Sequence, residues 1–306
     1  MAAIPVSADF LEDIRVQLTS TITTAGFMVS TGLNAERTAH LWFNIQLRRL
    51  RPQRRQVRWS DTLAGKSLSA AHQHVVEAIV LRSERGEDLA PFLSRRLKDP
   101  GYNDRLLNDW AAHHLHLGGT TPEADGFVPR SGELLYVYAQ PDTLYLLDVL
   151  GHQDSFGDIQ LVEIIHRNWP DIVARFKLGL RGDPHSAPSS AEIVQGRKMG
   201  LQPLIPLADG TIYGPFGGGI STCGLNSKIV RQAADLLSQA RALENICREN
   251  VEQIHQGLEA TTGRKLDRLV FGLLLTQTEL IVVETQTNIG IRTAAATPCE
   301  PAAPQG

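Results

Sequence analysis

Two histidines one residue apart, His114 and His116, followed by Arg130 and then by His152, are the residues of this chain whose types and spacing suit proton transfer. An imidazole gives or takes a proton near neutral pH, and a guanidinium holds a phosphate that gains charge as it is attacked in line. Together they supply what metal-free RNA cleavage requires, because the neighbouring 2′-hydroxyl is the nucleophile and the protein only moves protons and stabilises charge. In that scheme His114 or His116 accepts the 2′-hydroxyl proton, Arg130 steadies the phosphate, and His152 or the other imidazole protonates the leaving oxygen. The HxH pair also suits a metal, with Asp148, His152 or His166 completing three or four ligands. A third reading makes the histidines a plain polar sheet face in a non-enzymatic assembly protein. The first is the expectation adopted, with no cofactor and no metal.

The elements around these residues are legible from periodicity. HHLHLG (His113 to Gly118) alternates as a strand does, sending His114 and His116 to one face and Leu115 and Leu117 to the other. ELLYVYA (Glu133 to Ala139) and TLYLLDVL (Thr143 to Leu150) are aliphatic and tyrosine-rich, and Pro141 and Asp142 between them are turn residues, which predicts a hairpin. DRLLNDW (Asp104 to Trp110) predicts one or two helical turns before the first strand, and Asp158 can cap a helix carrying Ile159, Val162, Ile165 and Trp169. Trp110 and Trp169 are expected to pack at the core or its edge.

Charge is uneven along the chain. Arg48, Arg49, Arg51, Arg54, Arg55 and Arg58 fall within eleven residues, while no acid occurs between Glu36 and Asp61. Such a run can neutralise RNA phosphates, although the net charge of −3 makes the whole chain no attractor of nucleic acid. A solvated loop or helix face explains the run as well.

The segment RSGELLYVYAQPDTLYLLDVLGHQDSF (Arg130 to Phe156), within residues 105–170, resembles the closing strands of the RelE/ParE superfamily of small bacterial toxins, in which an arginine precedes a hairpin of apolar strands and a basic residue follows it. The resemblance implies RNA cleavage by side chains without metal, a toxin-like or phage-defence role, and His114, His116, Arg130 and His152 as the corresponding positions. Where the superfamily continues with a basic residue and a tyrosine, this chain has Gln153 to Phe156. The whole chain, with LLNDWAAHHLHLG and LVEIIHRNWP, is also similar to bacterial proteins to which no activity is attached.

The remaining segments frame this unit. Residues 1–100 are expected to be helical: two helices between Asp9 and Leu50 interrupted near Gly26 and Gly32, a helix capped by Ser69 and ending at Gly86, and a short helix from Asp88 to Leu97. Residues 101–180 form the RelE-like α+β domain, and 181–210 a linker region whose RGDPHSAPSS is rich in turn residues. Residues 211–292 form a C-terminal unit. There a glycine-rich turn, GPFGGG, precedes one long helix over 227–258 and two strands, and residues 293–306 form a disordered tail. The helix bears Ile229, Ala233, Leu236, Ala240, Leu243, Cys247, Val251, Ile254 and Leu258 at spacings of three and four, a seam for a homodimer or protein partner. The glycine-rich loop lacks the GK[ST] of a phosphate-binding loop and reads as a mobile turn. Cys223, Cys247 and Cys299 are odd in number and far apart, which suits a reducing compartment. With no apolar run near the ~20 residues of a membrane span and no leader pattern at the N-terminus, a cytoplasmic location is expected. The fold class is therefore α+β, with a helical N-terminal region, a small central antiparallel sheet with flanking helices, and a C-terminal long helix with β-hairpins.

Overall fold

The computed structural model describes residues 4–151, 159–199, 201, 204–276 and 279–291. The order of elements begins β1 (Val6–Ser7), α1 (Phe10–Thr24), α2 (Ala35–Arg48), β2 (Gln56–Trp59), α3 (Asp61–Ala64), α4 (Ala70–Arg85), α5 (Arg105–Trp110) and β3 (Ala112–His116). It continues with β4 (Glu133–Ala139), β5 (Thr143–Gly151), α6 (Gln160–Asn168), α7 (Pro170–Val173), β6 (Lys177–Arg181), α8 (Ser190–Lys198) and β7 (Thr211–Tyr213). The last elements are α9 (Ser227–Glu249), α10 (Val251–Thr262), β8 (Leu269–Leu275), β9 (Leu280–Glu284) and β10 (Ile289–Ile291). The class is α+β. Among the described residues, no helix is long and apolar enough to cross a membrane.

Two compact units make up the chain, and they cut across the boundaries expected at residues 100, 180 and 210. One joins the chain ends, Met1–Phe43 with Arg231–Gly306, and the other is Asn44–Val230. The first unit closes because β1 pairs in parallel with β8, Val6 opposite Leu269, beside the antiparallel run β8-β9-β10. Its core joins Phe10, Ile14 and Leu18 of α1 to Ala233, Leu237, Ala240, Leu243 and Cys247 of α9 and to Leu269, Phe271 and Leu273 of β8. The helical seam is thus packed within its own chain. The helix expected over 227–258 is interrupted at Asn250, where the backbone departs from helical geometry at φ −110° and ψ 23°, although its N–H and its side-chain amide both donate to the Ile246 carbonyl, at 3.1 and 2.8 Å.

In the second unit the sheet order is β2-β5-β4-β3. The hairpin β4–β5 and the antiparallel neighbour β3 stand as the pattern of apolar residues predicts, but β2 adds a parallel edge strand inside the arginine-rich run, with Arg58 opposite Tyr145. Apolar cores cover both faces. Leu115, Leu135, Val137, Leu144 and Leu146 face one, with Val75, Val76 and Ile79 of α4. Ala112, Leu134, Tyr136, Tyr138, Tyr145 and Leu147 face the other, with Leu161, Val162, Ile164 and Ile165 of α6. Helix α4 has its expected caps: the Ser69 hydroxyl accepts from His72 N, and Gly86 is left-handed at φ 78°. The helix expected from Asp88 to Leu97 is instead two 3₁₀ turns, Ala90–Phe92 and Arg95–Lys98, because Pro91 allows a start but no continuation and Ser94 caps the second turn. The stretch 181–190, expected as a linker, lies inside this unit between the end of β6 and the start of α8.

Candidate functional site

The histidine strand is set by what precedes it. Asp104 caps α5 by accepting from Leu107 N at 3.1 Å, and Ala111 ends the helix in a left-handed turn at φ 52°, which redirects the chain straight into β3. On β3 the alternation holds: Leu115 enters one core, while His114 lies opposite Tyr136 and His116 opposite Leu134 on the other face. The two imidazole rings are 6.4 Å apart, and His114 is 6.3 Å from the Tyr136 ring. This face is not a solvated polar surface. His114 is 7 % exposed and His116 3 %, and Arg48, Leu97, Tyr102 and Asp104 stand beside His114.

A β-bulge extends the polar row onto β5. Tyr136 pairs with Asp148 and Val137 with Leu146, so Leu147 is an extra residue and the bulge turns both Leu147 and Asp148 toward the face of Tyr136. His114, Tyr136 and Asp148 therefore lie in one line across β3, β4 and β5. Asp148 is 1 % exposed, and its carboxylate accepts from Val149 N at 2.7 Å and from Lys66 Nζ at 2.9 Å. Lys66 also donates to the Val149 carbonyl at 2.5 Å. Lys66 follows α3 in a segment without chemical periodicity, and its meeting with Asp148, 82 positions away, left no local signal. Tyr136 was legible only as a strand residue.

The loop after β3 is held close. Ser131 N approaches His116 Nδ1 at 3.5 Å, and the Ser131 hydroxyl accepts from Leu117 N at 2.8 Å while donating to the Glu133 carbonyl at 2.5 Å. Gly118 is required there, since a Cβ would run into the Pro129 carbonyl. Arg130, adjacent to Ser131, is exposed. The loop thus brings the backbone at Arg130 toward His116. His152 and the Asp158 cap lie outside the described residues.

His113, on the opposite face from His114, is electrostatically perturbed. Burial pushes its imidazole down to about 3, and the neighbouring His114 and then the positive charge of Arg55 add to the effect. At this edge Arg48, Arg96, Tyr102, Asp104, His113 and His114 surround about 20 Å³ of free space, enough for one water and far too little for a nucleotide.

The arginine run divides by burial. Arg48 donates to the carbonyls of Arg96 at 2.9 Å, Asp99 at 2.6 Å and Asn44 at 3.3 Å, and Arg55 to those of Gln140 at 2.9 Å and Arg51 at 3.0 Å. Both guanidiniums are buried, and desolvation lowers both from the usual arginine range. Arg49, Arg51, Arg54 and Arg58 are exposed, and Trp59 beside them is 42 % exposed. Arg54 borders an open groove of about 430 Å³ that Glu84 and Asp142 also line.

The glycine-rich loop is packed rather than mobile: a Cβ on Gly217 would overlap the carbonyls of Leu107 and Asn108, and Asn226 ties the loop to Asn108 at 3.0 Å. His166 contacts the Tyr213 hydroxyl at 2.9 Å and Asp209 at 3.3 Å, while Trp110 lies 5.2 Å from Phe216 and Trp169 lies 4.7 Å from Tyr145. Cys223 is an exposed free thiol and Cys247 a buried one, pushed up to about 11 by burial. Among the described residues, no group of three or more His, Cys, Asp and Glu side chains is placed to hold a metal ion.

Comparison with known proteins gives no relative from which to read this site: no family model matches the chain, and no curated protein and no solved structure matches it either.

Proposed function

We propose that this chain cleaves RNA by metal-free acid–base chemistry, in a toxin-like or phage-defence role, with His114 and His116 as the proton-transfer pair. The observation that carries the reading is the pair itself: two imidazoles 6.4 Å apart on one sheet face, beside Tyr136. Such a pair can divide the roles of base toward the 2′-hydroxyl and acid toward the leaving oxygen. Arg130, on the loop that meets His116, is the residue proposed to steady the phosphate, and His152 is the alternative acid. Of the six arginines, Arg49, Arg51, Arg54 and Arg58 suit RNA phosphates, whereas the side chains of Arg48 and Arg55 are committed to backbone carbonyls.

The test compares wild type with a His114→Gln, His116→Gln double variant, each folded by circular dichroism, on total RNA in excess chelator. Wild type is expected to leave 2′,3′-cyclic phosphate ends and the variant intact RNA. Intact RNA with wild type, or equal cleavage by both, overturns the reading. Elemental analysis of the same samples separates the rivals. Stoichiometric metal lost in the variant favours a metal-binding protein, and neither metal nor cleavage favours an assembly protein.

A further inference from the structure

Strand β2 is an outer edge of the sheet β2-β5-β4-β3. Gln56 N and Ser60 N donate inward to the Asp142 and Leu146 carbonyls at 2.8 and 3.0 Å, so by alternation the amides of Val57 and Trp59 lie on the outer side. Arg58, opposite Tyr145, and Trp59, opposite Leu146, leave the strand toward opposite faces, and both are exposed. Among the described residues Trp59 is the one aromatic side chain that is exposed rather than partly covered. Arg51 and Arg54, just before the strand, are exposed as well. Two nearby carboxylates are engaged elsewhere, Asp61 with Arg167 and Glu87 with Arg82 and Arg85. Glu84 and Asp142 share the groove of Arg54, and Arg51 and Arg58 carry the remaining positive charge. Arginines alone would serve to blunt an edge strand against pairing with another sheet. An exposed indole works against that purpose. The two together match a single nucleic-acid strand, which offers phosphates along one side and unpaired bases along the other. Because Arg58 and Trp59 are adjacent and diverge, a strand seated along the edge meets both, whereas a duplex keeps its bases stacked inside.

We propose that the β2 edge binds a single nucleic-acid strand, with a base stacked on Trp59 and phosphates on Arg51, Arg54 and Arg58. On the reading of the chain as a ribonuclease, which this rests on for the choice of RNA, the edge holds substrate outside the cleavage site. His114 lies on β3, three strand spacings or roughly 14 Å away, so the nucleotide on Trp59 is not the one presented to the histidines.

The experiment measures, by fluorescence anisotropy over a range of salt, how the full-length chain binds a labelled 2′-O-methyl oligouridine ten-mer, which lacks the nucleophile and is not cleaved. Unlabelled ten-mer, a blunt RNA duplex and a glutamate ten-mer are the competitors. The proteins are wild type, Trp59→Phe, Trp59→Ala and an Arg51→Gln, Arg54→Gln, Arg58→Gln triple variant, all changed at exposed positions and each checked for folding by circular dichroism. Trp59→Ala is expected to weaken binding at least fivefold with its salt dependence unchanged, and Trp59→Phe to keep most of the affinity. The triple variant is expected to weaken it at least tenfold and to reduce the slope of log K against log salt by about 2, at roughly 0.7 per phosphate. No saturable binding by wild type, or wild-type affinity in Trp59→Ala or in the triple variant, overturns the proposal. So does displacement by the duplex, or by the glutamate ten-mer as an acidic protein segment would give, at the concentration of unlabelled ten-mer that suffices. Binding is read independently of cleavage, so a chain that binds in this way and leaves RNA intact sinks the ribonuclease reading and keeps the surface. Where RNA is cleaved, the triple variant is expected to raise KM at least tenfold, and an unchanged KM overturns the edge as a substrate-holding surface.

Discussion

Arg48 and Arg51 are alike in sequence and opposite in physical role. Replacing Arg48 by alanine withdraws donors from the carbonyls of Arg96 and Asp99, and is expected to cost about 2–4 kcal/mol. Arg51→Ala, at an exposed side chain, should stay within about 0.5 kcal/mol; urea denaturation of both variants checks the contrast. His113 gives a pH dependence of definite sign. Its imidazole is held near 3 in the folded chain against about 6.5 when unfolded, so between those values the unfolded state binds the extra proton. Stability from this residue is present above pH ~6.5 and is lost as pH falls toward 3. Relative to His113→Gln, wild type should lose stability in that window by at most about 1.4 kcal/mol per pH unit, less because part of the ring is solvated. A flat difference from pH 7 to pH 4 would show that His113 titrates normally.

Elements whose signal is local could be read from the chain. The Ser69 and Gly86 caps of α4, the alternation of β3 and the hairpin β4–β5 each depend on neighbouring residues, and each is found where its pattern puts it. What escaped depends on distant partners. The alternation of β3 names the face of His114 but is silent on whether that face meets water, and residues distant in the chain, among them Arg48, Leu97 and Tyr102, stand beside it. Asp148 reads as a polar interruption of an apolar strand until the bulge aligns it with Tyr136. Gly217 looked like freedom to move and is instead a close approach, because the carbonyls that exclude its Cβ belong to Leu107 and Asn108. Gly217→Ala should therefore destabilise by about 2 kcal/mol or more, as overpacking against rigid backbone does. Gly132→Ala, with open space at its Cβ, should be near neutral or slightly stabilising in the same thermal melt.

At the scale of the molecule, one unit is continuous in the chain and the other is closed by its two ends. This connectivity orders their formation. The hairpin β4–β5 turns within a few residues, whereas β1 can pair with β8 only by bringing Val6 to Leu269. Loop-closure entropy rises as 1.5RT ln n, so closing a loop of roughly 260 residues costs about 3 kcal/mol more than closing one of roughly 10. That cost is repaid only once α1 is packed on α9 and β8. Once the residues between them have folded, the effective loop is shorter and the cost falls, which favours the continuous unit first. Pulse-labelled hydrogen exchange during refolding is expected to protect the amides of β4 and β5 before those of β8 and β9. Substitution in the continuous core, Phe92→Ala, should slow both sets, while Phe10→Ala should slow or weaken only the second. Simultaneous protection of all four strands, or earlier protection of β8, would mean that the chain ends find each other before the interior has folded, and that closure entropy does not set the order.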